Sequence, residues 1–129
     1  MPHIIVEYTA NIKNEANMPE LLKKINDVLI SKSAIFPIGG IRSRAIELQD
    51  YRVADGAEDD AFVHVALKIG AGRSETDKKT ACDELFDVIK DHFAVLFTKR
   101  YLALSMELIE FSEAGTYKQN NIHARYRKE

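Results

Sequence analysis

The N-terminus carries the first candidate for chemistry, a proline directly behind the initiator methionine. Pro2 precedes a run of β-branched and aromatic residues that is typical of a strand, and proline is tolerated at the first strand position. Removal of Met1 would turn the Pro2 nitrogen from an amide into a free secondary amine. Such an amine could act as a base or a nucleophile. The alternative interpretation is that Pro2 only follows the translation start, ahead of an ordinary strand.

Two arginines that follow glycines are the next candidates. Arg73 comes after the glycine loop 70–72 and immediately before Ser74, which we predict to cap a long helix. The N-terminus of a helix attracts carboxylates and phosphates, and an arginine adds a bidentate clamp for them. Arg42 closely follows a second pair of glycines and shares one side of a predicted strand with Arg44. The alternative for Arg73 is an ordinary surface arginine beside a helix cap. The alternative for Arg42 and Arg44 is a pair of salt-bridged surface arginines.

The remaining reactive side chains do not form a recognisable site. Four histidines are scattered without metal-ligand spacing, and we interpret them as structural: His3, His64, His92 and His123. Among them, His64, which lies in a predicted strand, is the best candidate for a catalytic role. The single cysteine, Cys82, lies on the apolar stripe of a predicted helix and is expected in the core. The chain has no Cys-X-X-Cys pair, nucleophile elbow or phosphate loop, so no metal site is predicted.

Hydrophobic spacing predicts the elements that must position these residues. Strands are expected over 61–69 and 102–110, where apolar residues alternate, and over 1–8, where β-branched and aromatic residues cluster. A further strand is expected over 41–48, although its alternation is unusual because two arginines begin an otherwise apolar side. One helix is expected from Asn17, as its cap, to about Ser33. A second helix of about six turns should begin at Ser74 and extend to about Phe97. The polar stretch 9–17 is predicted to be a loop.

The length predicts a single domain over residues 1–129, and within it the order strand, helix, strand occurs twice. The first βαβ unit covers about 1–50 and the second about 60–111, and residues 112–129 form a C-terminal tail. The fold class is therefore α/β (α+β). Two βαβ units form a four-stranded mixed sheet with two helices on one face.

The other face of such a sheet would stay uncovered, which predicts self-association. The candidate apolar residues on that face, depending on strand phase, are Ile4, Val6, Phe62 and Met106. An apolar surface of that size usually contacts a partner, and a symmetric homo-oligomer is expected.

Composition narrows the class of protein. With 129 residues, 46% hydrophobic and 29% charged, the chain has the profile of one globular domain with a sizeable core. A net charge of −2 gives no reason to expect nucleic acid or a membrane surface as a partner. No segment has the pattern of a signal peptide or a transmembrane helix, and a single cysteine excludes an internal disulfide. A cytoplasmic protein is therefore expected.

Taken together, the sequence resembles the tautomerase superfamily, and within it the 5-carboxymethyl-2-hydroxymuconate Δ-isomerases. The resemblance covers almost the whole chain. The glycine–arginine run and the stretch around Arg42 are its most specific parts. The matching segments are 1–3, 35–44, 54–56, 61–64, 67–74 and 118–121. The stretch 45–53 and the residues after His123 match the family pattern poorly.

The resemblance implies an isomerase that needs no cofactor. Pro2, freed of Met1, would be the catalytic base, and Arg42 and Arg73 would bind the substrate. The implied substrate is a small unsaturated 2-hydroxy di- or tricarboxylate of the 5-carboxymethyl-2-hydroxymuconate type. The enzyme would convert this dienol to its conjugated ketone during breakdown of homoprotocatechuate. The resemblance also implies a homotrimer with active sites near subunit interfaces.

Two other functions stay open at the level of sequence. The same scaffold could be a tautomerase for a different small enol. It could also be a non-catalytic trimeric module that binds an acidic ligand or a protein partner without proton transfer. Retention of Met1 would leave Pro2 acylated and would favour that binding module. The sequence assigns no division of roles between Arg42 and Arg73.

Overall fold

The protein is built on a four-stranded sheet with helices on one face. We describe it from a computed structural model, which describes residues 1–126. The strands are β1 (His3–Thr9), β2 (Arg42–Leu48), β3 (Ala61–Gly70) and β4 (Leu102–Phe111). They lie in the order β2-β1-β3-β4. β1 pairs parallel with β2 and β3 parallel with β4, whereas β1 and β3 pair antiparallel. Two βαβ units therefore meet at an antiparallel seam, which confirms the predicted mixed sheet.

The two long helices connect the parallel strands. The first of them (Met18–Ile30) joins β1 to β2, and the second (Glu75–His92) joins β3 to β4. Ser74 caps the second as predicted, because its side chain accepts a hydrogen bond from the Asp77 amide. Asn17 occupies the N-cap position of the first, as predicted, but it does not cap this helix with its side chain. Asn17 adopts a left-handed backbone conformation (φ 44°) and its side chain makes no capping hydrogen bond.

The predicted loop 9–17 is instead mostly helical. A 3₁₀-helix (Ala10–Ile12) leads into α1 (Lys13–Ala16), and α2 is the helix that begins at Met18. Ile12 and Ala16 are fully buried, so hydrophobic contact with the core holds this polar stretch in place.

The predicted six-turn helix is divided into two. α3, which starts at Glu75, ends at His92, and α4 (Ala94–Lys99) follows it. The break falls at Phe93, whose backbone leaves helical geometry and whose side chain is only 1% exposed. Burial of this ring redirects the chain before β4. No helix among residues 1–126 has the length and apolar composition needed to cross a membrane.

The core lies between the sheet and the long helices α2 and α3. Alternate residues of β1 and β3 face it, and the period-2 pattern predicted this correctly for β3. They are Ile4, Val6, Tyr8, Ala61, Val63, Val65, Leu67 and Ile69. Full burial of an aliphatic side chain contributes roughly 1.5–3 kcal/mol. This layer therefore fixes β1, and with it the N-terminus, firmly to the rest of the domain.

The uncovered face of the sheet carries both apolar and charged residues, and the strand phase proposed for it is mostly wrong. Ile4, Val6 and Met106 pack on the helix side, and Phe62 alone of the four candidates faces away. Arg42 lies opposite His3 in the register of β1 and β2. The other charged or polar residues on that face include Glu7, Arg44, His64, Lys68, Ser105 and Glu107.

Candidate active site

A cavity of about 480 Å³ lies at the N-terminal end of β1. Antiparallel pairing places the start of β1 beside the end of β3, and parallel pairing adds the start of β2 and the end of β4. The segments next to these four strand ends form the walls. The lining residues are Met1, Ile35, Pro37, Gly40, Gly70, Arg73, Glu113, Lys118, Asn120 and His123.

Pro2 lies buried at the edge of this cavity, directly behind Met1. The Pro2 carbonyl accepts a hydrogen bond from the Arg42 amide at 3.1 Å, which ties the N-terminus to the first residue of β2. Met1 lines the cavity and packs near Gly40, where an added Cβ would lie 3.5 Å from the Met1 Cα. Removal of Met1 would therefore open space next to the Pro2 nitrogen.

The electrostatic environment of the N-terminus is cationic. Burial lowers the pKa of the Met1 amine below the usual range of an α-amino group, and the charges of Arg73, Lys118 and Arg42 lower this pKa further. The Glu113 carboxylate acts in the opposite direction. The net effect favours a neutral amine at this position and an anionic ligand in the cavity.

Arg73 is held against the cavity wall by main-chain carbonyls. Its Nη1 donates to the Gly70 oxygen at 3.1 Å, and its Nε and Nη2 donate to the Ile35 oxygen at 3.4 and 3.2 Å. The guanidinium also lies 4.8 Å from the ring centroid of Phe36. These hydrogen bonds use three of the five N–H donors and leave one on each Nη. That remaining pair matches the two oxygens of a carboxylate.

Arg42 lies beside Pro2, because its amide donates to the Pro2 carbonyl. Its side chain shares the uncovered sheet face with His3, and its Nη1 donates to the Gly40 oxygen at 3.1 Å. It is not among the residues that line the cavity. Within one chain, Met1 and Arg73 therefore line the same cavity, whereas Pro2, which follows Met1, and Arg42 do not line it.

The C-terminal wall of the cavity was missed by the sequence reasoning, which treated these residues as a polar tail. The Asn120 side chain donates to the Gly39 oxygen at 2.9 Å. A Cβ on Gly39 would lie 2.9 Å from the backbone of His123, so the 3₁₀-helix Ile122–Tyr126 packs closely on this glycine. The available signal was the motif 118–121, which carried part of the family resemblance. Part of the predicted basic end, 127–128, lies outside the described residues.

Of the other candidate groups, His123 lines this cavity, whereas His64, His92 and Cys82 do not. His92 hydrogen-bonds a main-chain carbonyl at 2.7 Å, which confirms a structural role. His64 contacts the Ser105 hydroxyl at 2.7 Å and the Glu107 carboxylate at 3.0 Å on the uncovered sheet face. Cys82 is only half-buried, at the margin of the core, and burial raises the pKa of its thiol. Within 1–126, no three metal-ligating side chains form a group that could hold an ion.

Comparison with solved structures defines the class of protein. A fused wild-type 4-OT symmetric trimer matches 91% of this chain and 93% of its own, with a TM-score of 0.66 at 22% identity. Similarity at that level shows the fold alone. The chain thus shares the α+β fold of that structure, a four-stranded mixed sheet with helices, and the predicted fold class is confirmed.

Closer relatives show the family. A crystal structure of a 5-carboxymethyl-2-hydroxymuconate isomerase from Deinococcus radiodurans R1 is 58% identical, with a TM-score of 0.95 over 98% of this chain and 95% of that one. The 5-carboxymethyl-2-hydroxymuconate Delta-isomerase of Escherichia coli is 47% identical over 127 residues, 98% of this chain and 100% of its own. Residues 2–126 match the model of the 5-carboxymethyl-2-hydroxymuconate isomerase family. The chain belongs to the 5-carboxymethyl-2-hydroxymuconate isomerase family and is an isomerase.

Proposed function

We propose that this protein isomerises 5-carboxymethyl-2-hydroxymuconate from the dienol to the conjugated ketone, without a cofactor. The observation that carries the proposal is a buried N-terminal proline beside a cationic cavity, where Arg73 and Lys118 act on the terminal amine. A polyanionic substrate suits a cavity of that charge. The two close relatives carry this activity in their names, which supports the choice of substrate.

Pro2 is the proposed general base and acid, once Met1 has been removed. The reaction takes a proton from the 2-hydroxyl oxygen and returns one to C5, while the double bonds shift to C2=O and C3=C4. One group that accepts and then donates the proton serves both steps. The amine must be neutral at the start. Burial and cationic neighbours lower the pKa of an amine at this N-terminus, which is the direction required.

The arginines are the proposed substrate-binding groups. Arg73 has one free N–H on each Nη, so it can bind a carboxylate in bidentate fashion inside the cavity. Arg42 lies outside the cavity of its own chain, beside Pro2. It would reach the substrate across the uncovered sheet face, from the same subunit or a neighbouring one. Positive charge near C2 also stabilises the oxyanion that develops there.

The proposed assembly is a homotrimer. β2 and β4 are edge strands, and such edges in native proteins are commonly covered or paired. An apolar groove of about 530 Å³ runs between α3, α4 and β4, close to the exposed side chain of Phe97. These surfaces suit contact with further copies. The 4-OT structure with a similar fold is a symmetric trimer, which supports an assembly of three subunits.

The proposed setting is the cytoplasmic breakdown of homoprotocatechuate. The family resemblance supports the pathway. The free thiol of Cys82, the single cysteine of the chain, is compatible with a reducing compartment.

The decisive experiment compares one protein with and without a free Pro2 nitrogen. An N-terminal tag that a protease removes directly before Pro2 supplies both forms, and intact mass verifies each one. Loss of the dienol is followed by ultraviolet absorbance. We expect rapid turnover only after cleavage, and the uncleaved protein at the buffer rate. Equal rates for the two forms would overturn the role of Pro2, and no turnover by the cleaved form would overturn the reaction itself.

The competing function, a module that binds an acidic ligand without turnover, gives a different result in the same samples. Titration calorimetry would then detect dicarboxylate binding while the absorbance stays unchanged. Pro2→Ala separates the cases further, because alanine keeps a primary amine and retains partial activity only if the amine does chemistry.

A further inference from the structure

We propose that Lys118 binds the third carboxylate of the substrate and makes the enzyme selective for a tricarboxylate over a dicarboxylate. The inference rests on the proposed function, whose substrate carries a carboxymethyl group in addition to the two carboxylates of 2-hydroxymuconate. It assigns to the C-terminal segment a role in choosing the substrate.

The number of available cations motivates this inference. The two predicted arginines can pair with two carboxylates, and Arg73 has donors left for only one. A third carboxylate that entered the site without a partner would lose hydration and gain nothing in return. The substrate therefore requires a further cation on the cavity wall.

Lys118 is that cation by position. It lines the same cavity as Arg73 and Met1. It also lowers the pKa of the Met1 amine more than Arg42 does, so its charge acts closely on the N-terminus. Glu113, on the same wall, carries the opposite charge and repels a ligand carboxylate. The attractive part of the wall is thus confined to the side chains of Arg73 and Lys118, with His123 nearby.

The segment that carries Lys118 is anchored on both sides. Before it, Thr116 closes a turn. Its amide donates to the main-chain carbonyl oxygen of Glu113 at 3.2 Å, and its hydroxyl donates to the main-chain carbonyl oxygen of Ser112 at 2.6 Å. After it, the Asn120 side chain donates to the Gly39 oxygen at 2.9 Å. The backbone is therefore placed in advance, and the flexible lysine stem adapts to the ligand.

The ammonium of Lys118 is also available for a ligand. Among residues 1–126 it forms no salt bridge, whereas Lys32, Lys78 and Lys79 each pair with a carboxylate. An ammonium that already lies beside the cavity without a protein carboxylate loses little when a substrate carboxylate replaces water.

The test compares two substrates across matched variants. Lys118→Met removes the charge and keeps the stem, Lys118→Arg restores a cation, and Lys99→Met is a control with the same change in net charge on exposed α4. Loss of one charge-assisted hydrogen bond should lower kcat/KM for the tricarboxylate about 10- to 100-fold in Lys118→Met. The loss should fall mainly on KM. For 2-hydroxymuconate, kcat/KM should fall less than about threefold, since no third carboxylate is present.

Equal losses with both substrates, or no loss with either, would overturn the inference. So would a Lys118→Arg variant no better than Lys118→Met on the tricarboxylate. Failure of the proposed function looks different, because wild-type protein with a free Pro2 would then turn over neither substrate. That outcome would remove this inference as well.

Discussion

Replacement of Arg73 by methionine tests the cavity most directly. The variant keeps much of the side-chain volume and removes the guanidinium. The two remaining N–H donors of Arg73 suit one carboxylate, and each charge-assisted hydrogen bond contributes about 1.5–3 kcal/mol. Desolvation offsets part of this sum, so a net loss of about 3 kcal/mol is expected. At about 1.4 kcal/mol per tenfold change, kcat/KM should fall roughly 100-fold.

Arg73→Lys separates geometry from charge. Lysine keeps a cation but has no planar fork, and it cannot reproduce the bonds to the Gly70 and Ile35 carbonyls together. We expect it to recover no more than about a tenth of wild-type kcat/KM. The assay is the loss of dienol absorbance, measured on protein with a verified N-terminal proline.

Arg100→Met is the matched control for structural damage. Arg100 also donates to main-chain carbonyls, those of Asn11 and Asp59, but it does not line the cavity. Both variants should lower the melting temperature by a few degrees, since each leaves carbonyls without their donor. Only Arg73→Met should lose activity. Similar kcat/KM values for Arg73→Met and Arg100→Met, or full activity in Arg73→Lys, would refute the assignment.

Three further predictions concern the amine of Pro2, the packing at Gly39 and the cap of α3 at Ser74. If Pro2 acts as a neutral base, kcat/KM falls as pH drops through its pKa. Loss of the Arg73 charge raises that pKa, so a pH profile of the Arg73→Met variant should show this fall starting at higher pH. Gly39→Ala places a Cβ 2.9 Å from the His123 backbone and should destabilise the fold by about 1–3 kcal/mol in urea unfolding. Ser74→Ala removes the bond from the Asp77 amide and should lower stability by about 1 kcal/mol in the same assay, with activity unchanged.

The strands were predictable because their signal is local. β3 was expected over 61–69 and runs Ala61–Gly70, and β4 was expected over 102–110 and runs Leu102–Phe111. Alternation of apolar residues depends only on neighbours two positions apart, so it survives in a single sequence.

The errors occur where distant contacts outweigh local preference. The polar stretch 9–17 is mostly helical rather than a loop because Ile12 and Ala16 are buried in the core. The helix α3 ends before its predicted end because the Phe93 side chain is also buried. Strand phase on the uncovered face depends on register. Pairing of Val6 with Val65, and of Val65 with Met106, puts all three on the helix side.

The sequence by itself determined the residues that could do chemistry: a proline at the second position, glycines that precede two arginines, and a helix cap after Arg73. Only the tertiary structure decided which of them share a cavity. It joined Arg73 to the N-terminus, placed Arg42 outside, and added Lys118 from a segment that looked like a polar tail. The physical reason is the antiparallel pairing of β1 with β3, which brings the start of the chain and the end of the second unit to the same end of the sheet. Long-range pairing of that kind leaves no local signal in the residues that it brings together.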